Sequence, residues 1–546
     1  MKNIVICSDG TGNVDVKGRG TNVFKTFEAV DLTGHRTDPD LSAQIAFYDD
    51  GVGTETLKPL KIFSGMTGFG LSRNVRQLYK ELARVYDPGD RIFLFGFSRG
   101  AFTVRSLVGF IATCGLLDTK KVGTNGEFDG KVREAYRLYR QCYRTPLGQW
   151  LRGAPDKKRI AEFQRNWCHP QEVRIAFIGV WDTVDAVGLP FHLADVVNTL
   201  VYRFKFPDCR LSDIVDCACH ALAIDDERHS FAPLLWDETR ETKNRITQVW
   251  FSGAHSNVGG GYPKQGMSLV ALDWMMAEAT RAGLRYDGAD RLIYRNHANV
   301  DDKLYDPRAG LGLFYRWKVR DIETLCNDNG IGRPQVHVSV LERAAHGTAD
   351  YAPGNLPRNA SIVVTEPGAV VSRELLATRA QLVQAALHTA QTREGSLLDK
   401  VRGAIAAGLL SYYLYIVGVL LVLGVAAGGG DVGAQPASLA RGLVDLIKNA
   451  LTSPLATSLA VAQTFWARPA LLGTILIVLG VSYGIATAAD VRMDRVFSSF
   501  WHQLQQELRK ALKQARSQSK GDVPSLPLPG SDGDGPDLEP ERPTAA

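Results

Sequence analysis

Apolar runs of strand length alternate with helical patterns through the first two-thirds of the chain. Asn3–Cys7, Ile45–Tyr48, Arg91–Phe95, Val173–Val180 and Arg245–Phe251 are short, rich in Ile, Val and Phe, and bounded by Gly, Asp or Pro. Each predicts a buried strand. Between them, Leu71–Tyr86, Arg99–Cys114 and Leu269–Gly283 repeat apolar positions at helical spacing. Strand alternating with helix predicts an α/β fold, a mostly parallel sheet with helices on both faces. Two stretches read as inserted. Lys120–Gln171 is basic and helical, and Gly188–Phe206 is apolar through Phe191, Leu193, Val196, Val197 and Leu200. The second, residues 188–206, is a candidate lid.

The pattern changes after residue 357, where the predicted catalytic domain 1–357 ends. Residues 358–402 are rich in Ala, Thr, Gln and Arg and predict a linker leading into a helix. Gly403–Gly430 is 28 residues without a charge and Pro469–Ala489 is 21. About 20 apolar residues cross a bilayer as a helix. Residues 403–489 therefore predict a transmembrane hairpin, with spans at about 404–427 and 469–489. Over 490–516, Met493, Val496, Phe497, Phe500, Leu504, Leu508 and Leu512 recur at helical spacing beside Arg509, Lys510, Lys513 and Arg516. That amphipathic basic helix suits an anionic inner leaflet. The Pro-, Gly-, Ser- and Asp-rich tail 517–546 predicts disorder, and no internal repeat is present.

Composition narrows the partners. Lys and Arg number 63 against 58 Asp and Glu, so the net charge of +5 is too small at this length to argue for nucleic acid. Eight cysteines are too sparse for a disulfide scaffold, and none has zinc-ribbon spacing, so no metal or other cofactor is expected. The apolar run after Met1-Lys2 ends at Cys7. A secretory signal needs roughly 7–15 apolar residues, so the N-terminal part is expected in a reducing cytoplasm.

The strongest motif is Gly96-Phe97-Ser98-Arg99-Gly100, which matches G-x-S-x-G between the strand Arg91–Phe95 and a helix from Ala101. That setting is a nucleophile elbow, in which a tight turn lifts the serine oxygen above the sheet. The competing reading is a turn whose serine only caps the helix. A serine nucleophile needs a base, and the base needs a group that holds its tautomer, in the chain order Ser, Asp or Glu, His. Asp182 follows the strand Val173–Val180, where parallel sheets build their sites, with Asp185 as its rival. His255 follows the strand Arg245–Phe251 in a loop containing Gly259-Gly260-Gly261 and is the expected base. His220 lies beside Cys217 and Cys219 in a stretch read as helical. Cysteines two apart on a helix diverge, so a metal site is not expected there. His229, next to Arg228, reads as a surface or structural residue. For the oxyanion hole, the Arg99 N–H is one donor, and Gly10 or Thr11 in Ser8–Asn13 is the candidate second. A phosphatase reading of that loop requires a nucleophilic aspartate where this chain has Cys7.

Several stretches together resemble an α/β-hydrolase family whose best-understood members are type VI secretion phospholipase effectors. They are Ser8–Asn13, Thr21-Asn22-Val23, Tyr48–Thr54, Gly68–Leu71, Gly96–Ala101, Gly179–Val184, His220–Asp226 with Arg228, and Trp250–Tyr262. Weaker similarity runs from Val336–Val340 to about Pro357. The resemblance implies an α/β-hydrolase fold with Ser98 as nucleophile, Asp182 as acid and His255 as base, acting on phospholipid esters. Asn257 stands where the family usually has Asp. The hairpin distinguishes this chain from delivered effectors and points to a resident membrane protein. The expected function is thus a membrane-anchored serine phospholipase of the bacterial inner membrane, with two spans and with catalytic domain and C-terminus cytoplasmic. A non-lipid esterase and a non-catalytic scaffold with a retired hydrolase fold are the alternatives.

Overall fold

Eight strands form one sheet in the order β2-β1-β3-β4-β5-β6-β7-β8, and every neighbouring pair is parallel. They are β1 (Lys2–Ser8), β2 (Ala43–Asp49), β3 (Arg91–Phe97), β4 (Ile175–Trp181), β5 (Ala218–Ala223), β6 (Ile246–Phe251), β7 (Gln335–His337) and β8 (Ser361–Val363). The structure is a computed structural model. It describes residues 1–10, 20–50, 69–142, 154–184, 209–307, 318–357, 359–365, 397–427 and 453–521, with a few isolated positions besides. The candidate lid 188–206, Asp185, Thr11 and the tail beyond residue 521 lie outside the described residues.

Alternation along the strands separates two cores, because successive side chains point to opposite faces. Ile4, Ile6, Ile92 and Leu94 pack against α2 (Phe69–Val85), α3 (Arg99–Cys114), α4 (Asn125–Gln141) and α5 (Lys157–Trp167). Val5, Cys7, Phe93 and Phe95 pack on the other side with α1 (Asn22–Ala29) and α7 (Gly266–Arg281); the short α6 (His255–Gly259) precedes α7. The expected α/β architecture with helices on both faces is therefore present. The stretch read as inserted is part of the first core, through Phe128, Val132 and Phe163. The chain runs one way from β1 to β2 and the other way from β3 onward. That reversal opens a crevice at the carboxyl ends of β1 and β3, where open parallel sheets bind ligands.

Three readings need correction. Residues 218–223 are a fully buried central strand, not a helix; alanine favours helices, but the slot between β4 and β6 overrides that weak preference. Cys217 and Cys219 thus share a face, and among the described residues no group of three potential ligands surrounds a metal position. The sheet also extends past residue 357, since β8 pairs with β7. The third concerns the C-terminal helices.

Two described helices are long and apolar enough to cross a membrane: α9 (Arg402–Ala427) and the first part of α11 (Pro469–Gly521). The helix α8 (Val338–His346) belongs to the sheet domain, and α10 (Pro454–Trp466) precedes α11. Ser411 and Ser482 fasten α9 to α11 by donating their hydroxyls to each other's carbonyls at 2.7 Å. Leu410, Val417, Leu420, Leu476, Ile477 and Val481 face outward. At 53 residues, α11 is roughly 80 Å long. Its later apolar stripe does not face lipid: Phe500, Trp501, Leu504 and Leu508 are buried with Leu341 and Ala344 of α8 and Val336 of β7. Arg509 donates its Nε to the Ala345 carbonyl. The stripe expected against the inner leaflet completes the sheet domain instead.

Candidate active site

Ser98 follows β3 at φ 58° and ψ −120°, a conformation that costs free energy for any residue with a Cβ. Its neighbours hold it there. Ser98 N–H donates to the Trp181 carbonyl at 3.1 Å, joining the end of β3 to the end of β4. A Cβ on Gly100 would lie 2.0 Å from the Ser8 carbonyl oxygen, and one on Gly96 would lie 2.6 Å from Ala101 Cα. Glycine at both positions lets the helix α3 start directly beneath the end of β1. Ser98 is buried and stands at the N-terminus of this 16-residue helix, whose dipole favours negative charge there.

Asp182 stands immediately past β4 with φ 35°, fully buried. Its Oδ2 accepts from His255 Nδ1 at 2.6 Å and from Arg320 Nη2 at 3.0 Å. Its Oδ1 accepts from Arg320 Nη1 at 2.8 Å and from the Ala223 N–H at the end of β5 at 3.0 Å. Burial alone would raise this carboxyl's pKa. The Arg320 charge and the His255 bond outweigh it and hold Asp182 well below the usual carboxylate range.

His255 is held from three sides. Its ring lies between Phe97, 4.6 Å away between centroids, and Phe231, 5.1 Å away. Its backbone N–H donates to Asp226 Oδ2 at 3.2 Å, and Arg228 fixes Asp226 through Nε at 3.0 Å and Nη2 at 2.6 Å. Gly253 N–H donates to Asp225 Oδ2 at 2.6 Å, so the loop after β5 braces the loop after β6. Burial pushes the imidazole pKa down, and Asp182 opposes it. With Nδ1 directed to Asp182, Nε2 has no hydrogen-bond partner among the described residues, so no bond to Ser98 Oγ is formed here. Such bonds are often long without substrate and tighten in the Michaelis complex.

Around the β1 loop, the Gly10 N–H donates to the Asp9 carboxylate at 2.6 Å, so it is engaged within its own turn. Asp9 also accepts from Thr21 Oγ1 and from the Tyr48 hydroxyl at 2.8 Å. Thr21 and Tyr48 belong to the stretches singled out in the sequence. Asn257 donates Nδ2 to the Lys303 carbonyl at 3.0 Å, and its Oδ1 accepts from Ala254 N–H at 3.3 Å. Its Oδ1 also accepts from the Tyr305 N–H at 3.3 Å, which an Asp could keep, whereas the bond to the Lys303 carbonyl needs the amide of Asn. His220, apart from the nucleophile, accepts the Thr183 N–H on Nε2 at 3.1 Å and steadies the loop that carries Asp182.

Arg320 lies outside every recognisable motif, and nothing near it in the chain marks a buried cation. Only the fold brings it 138 positions back to Asp182.

The family model for the catalytic domain of Tle1-like phospholipase effectors of type VI secretion matches residues 2–278, just over half of the chain. An uncharacterized protein of Saccharomyces cerevisiae (strain ATCC 204508 / S288c) is 29% identical over 246 residues, 43% of this chain and 32% of its own length. The chain thus spans about a third of that curated relative. Among solved structures, an uncharacterized protein from Pseudomonas aeruginosa covers 96% of this chain and 68% of its own at 16% identity, with a TM-score of 0.31. The Tle1 effector bound to the VgrG spike of the type VI secretion system covers 48% and 51% at 18% identity, with a TM-score of 0.25. At those scores neither superposition adds to the geometry above.

Proposed function

This chain belongs to the family of Tle1-like phospholipase effectors of type VI secretion through its catalytic domain, and we propose that it is a membrane-anchored serine hydrolase of α/β-hydrolase type that cleaves carboxylic esters of phospholipids. The observation that carries the reading is the 2.6 Å bond from His255 Nδ1 to Asp182, made beside a serine held in a strained elbow. In this reading Ser98 Oγ attacks the acyl carbonyl carbon as its proton passes to His255 Nε2. Asp182 accepts the Nδ1–H bond and stabilises the imidazolium. His255 then returns the proton to the departing alcohol, leaving an acyl-serine. Water repeats the sequence, releasing the fatty acid and restoring Ser98. The Arg99 N–H and the β1 loop are the proposed oxyanion donors, with Gly10 first released from Asp9. No metal or cofactor is required in this scheme.

Membrane anchoring is supported by the outward-facing apolar side chains of α9 and α11. A core helix would bury them. The two spans leave the N-terminal domain and the end of α11 on one side, in keeping with Trp501 and Leu508 packed into that domain. Asp490–Lys520 carries seven basic residues against three in Asp431–Arg468, which supports a cytoplasmic side for both. The site would then act on the inner leaflet, and anchoring beside the bilayer would raise the effective substrate concentration.

The test is fatty-acid release from phosphatidylethanolamine and phosphatidylglycerol vesicles by the purified full chain. Wild type should release fatty acid, while Ser98→Ala and His255→Ala should each lose about 10⁴-fold in turnover. Equal release by wild type and Ser98→Ala would reject the reading.

A further inference from the structure

Arg320 is an unusual companion for the Asp182–His255 pair. It is 5% exposed, and its guanidinium grips the two carboxylate oxygens of Asp182 separately, at 2.8 and 3.0 Å. The same guanidinium donates to the carbonyls of Ala223, which ends β5, and Phe231, whose ring meets His255 edge to face. One planar fork thus fixes the carboxylate, the strand end beneath it and the ring wall beside the imidazole. Its backbone is fixed too. Asn355 Nδ2 donates to the Arg320 carbonyl and to the Ile224 carbonyl, both at 3.0 Å. Arg320 lies outside residues 2–278, in the part of the domain that α11 completes.

We propose that Arg320 is a positioning residue for the reaction, orienting Asp182 so that its Oδ2 holds the His255 tautomer with Nε2 toward Ser98. This rests on the Ser98–Asp182–His255 reading above. A bidentate guanidinium defines the plane of a carboxylate, which a single ammonium cannot do. It also neutralises part of the charge that would otherwise hold the His255 proton too tightly. The charged and titratable groups facing the pair are Arg320, Arg228, Asp226, Asp225 and His220. Of the two arginines, Arg228 is paired with Asp226, whereas Arg320 bonds to Asp182 itself.

The experiment measures kcat and KM against pH for a short soluble acyl ester, using the full chain in detergent. Arg320→Gln is expected to lower kcat about 100-fold with KM within about threefold. It should also move the acid limb of kcat/KM to higher pH, because Asp182 without the guanidinium raises the imidazole pKa. Arg320→Lys restores the charge but not the fork. It should recover about tenfold of kcat and return the acid limb toward wild type. If Arg320→Gln does not fold, Arg320→Lys decides alone: a kcat about tenfold below wild type at unchanged KM supports the proposal, and a wild-type kcat overturns it. A folded Arg320→Gln with kcat within threefold and an unmoved acid limb also overturns it. An inactive wild type whose Ser98 fails to react with a fluorophosphonate would instead remove the esterase reading and this proposal with it.

Discussion

Trp501 donates its indole N–H to the Pro353 carbonyl at 2.9 Å, joining a helix that begins in the apolar hairpin to the loop two residues before Asn355. Phe497 lies against Gly354, where a Cβ would come within 2.1 Å of its ring. The end of α11 is thereby built into the core around β7 and α8. It is a structural part of the sheet domain.

Trp501→Ala should therefore destabilise the full chain by about 3–5 kcal/mol, the usual cost of emptying a buried aromatic site. The thermal midpoint in detergent should fall by several degrees. Truncation after residue 489, measured in the same detergent, should lower the midpoint further, since Val336, Leu341 and Ala344 lose their cover. A truncated chain that keeps the wild-type midpoint would contradict this packing.

Gly100→Ala tests the elbow. Its Cβ would meet the Ser8 and Asp9 carbonyl oxygens at 2.0 and 2.6 Å, and both are backbone atoms, so the end of β1 or the start of α3 must shift. The expected result is a stability loss of about 1–3 kcal/mol together with loss of ester hydrolysis. Calorimetry and a soluble-ester assay check the two effects. Gly126→Ala, where a Cβ meets nothing within 4 Å, is the matched control and should leave both unchanged.

The strands that were legible from sequence are those whose Ile, Val and Phe runs report burial directly, such as β1 and β3. The elbow was legible because its glycines and serine are fixed by local geometry. β5 was not, because Ala218, Ala221 and Ala223 carry no strand signature of their own; their small size fits a slot made by other strands. The role of the 490–516 stripe was misread for a related reason. An amphipathic pattern gives the direction of the apolar face but not what covers it. Arg320 was invisible, since a bidentate partner 138 positions away leaves no trace in local sequence.

His220 sets a dependence of stability on pH. It is fully buried, and burial, aided by Arg105, pushes its pKa down to about 3 against the opposing pull of Asp182. The unfolded chain titrates this imidazole near 6.5, so between about 3 and 6.5 the unfolded state binds more protons. Stability is then fully present above about pH 6.5 and falls on acidification by up to about 1.4 kcal/mol per pH unit. Asp182, whose pKa is depressed, adds a further loss below about pH 4. His220→Gln, which can still accept the Thr183 N–H, should flatten the slope between pH 6.5 and 5 in urea titrations. An unchanged slope would contradict the assignment.

The proposed two-span arrangement predicts that a cysteine at Ser438→Cys reacts with an impermeant maleimide on intact spheroplasts, whereas one at Gly530→Cys reacts only after lysis. The reverse pattern would place the site on the opposite face of the membrane.

The most direct measurement is covalent. The full chain, folded in detergent at neutral pH, is treated with a fluorophosphonate and its peptides are analysed by mass spectrometry. A Ser98 activated by His255 predicts one adduct, on Ser98, formed at least about 100-fold more slowly in His255→Ala and Asp182→Asn. A folded wild-type chain with no adduct on Ser98, or with Ser98 labelled equally fast when His255 is replaced, would contradict it.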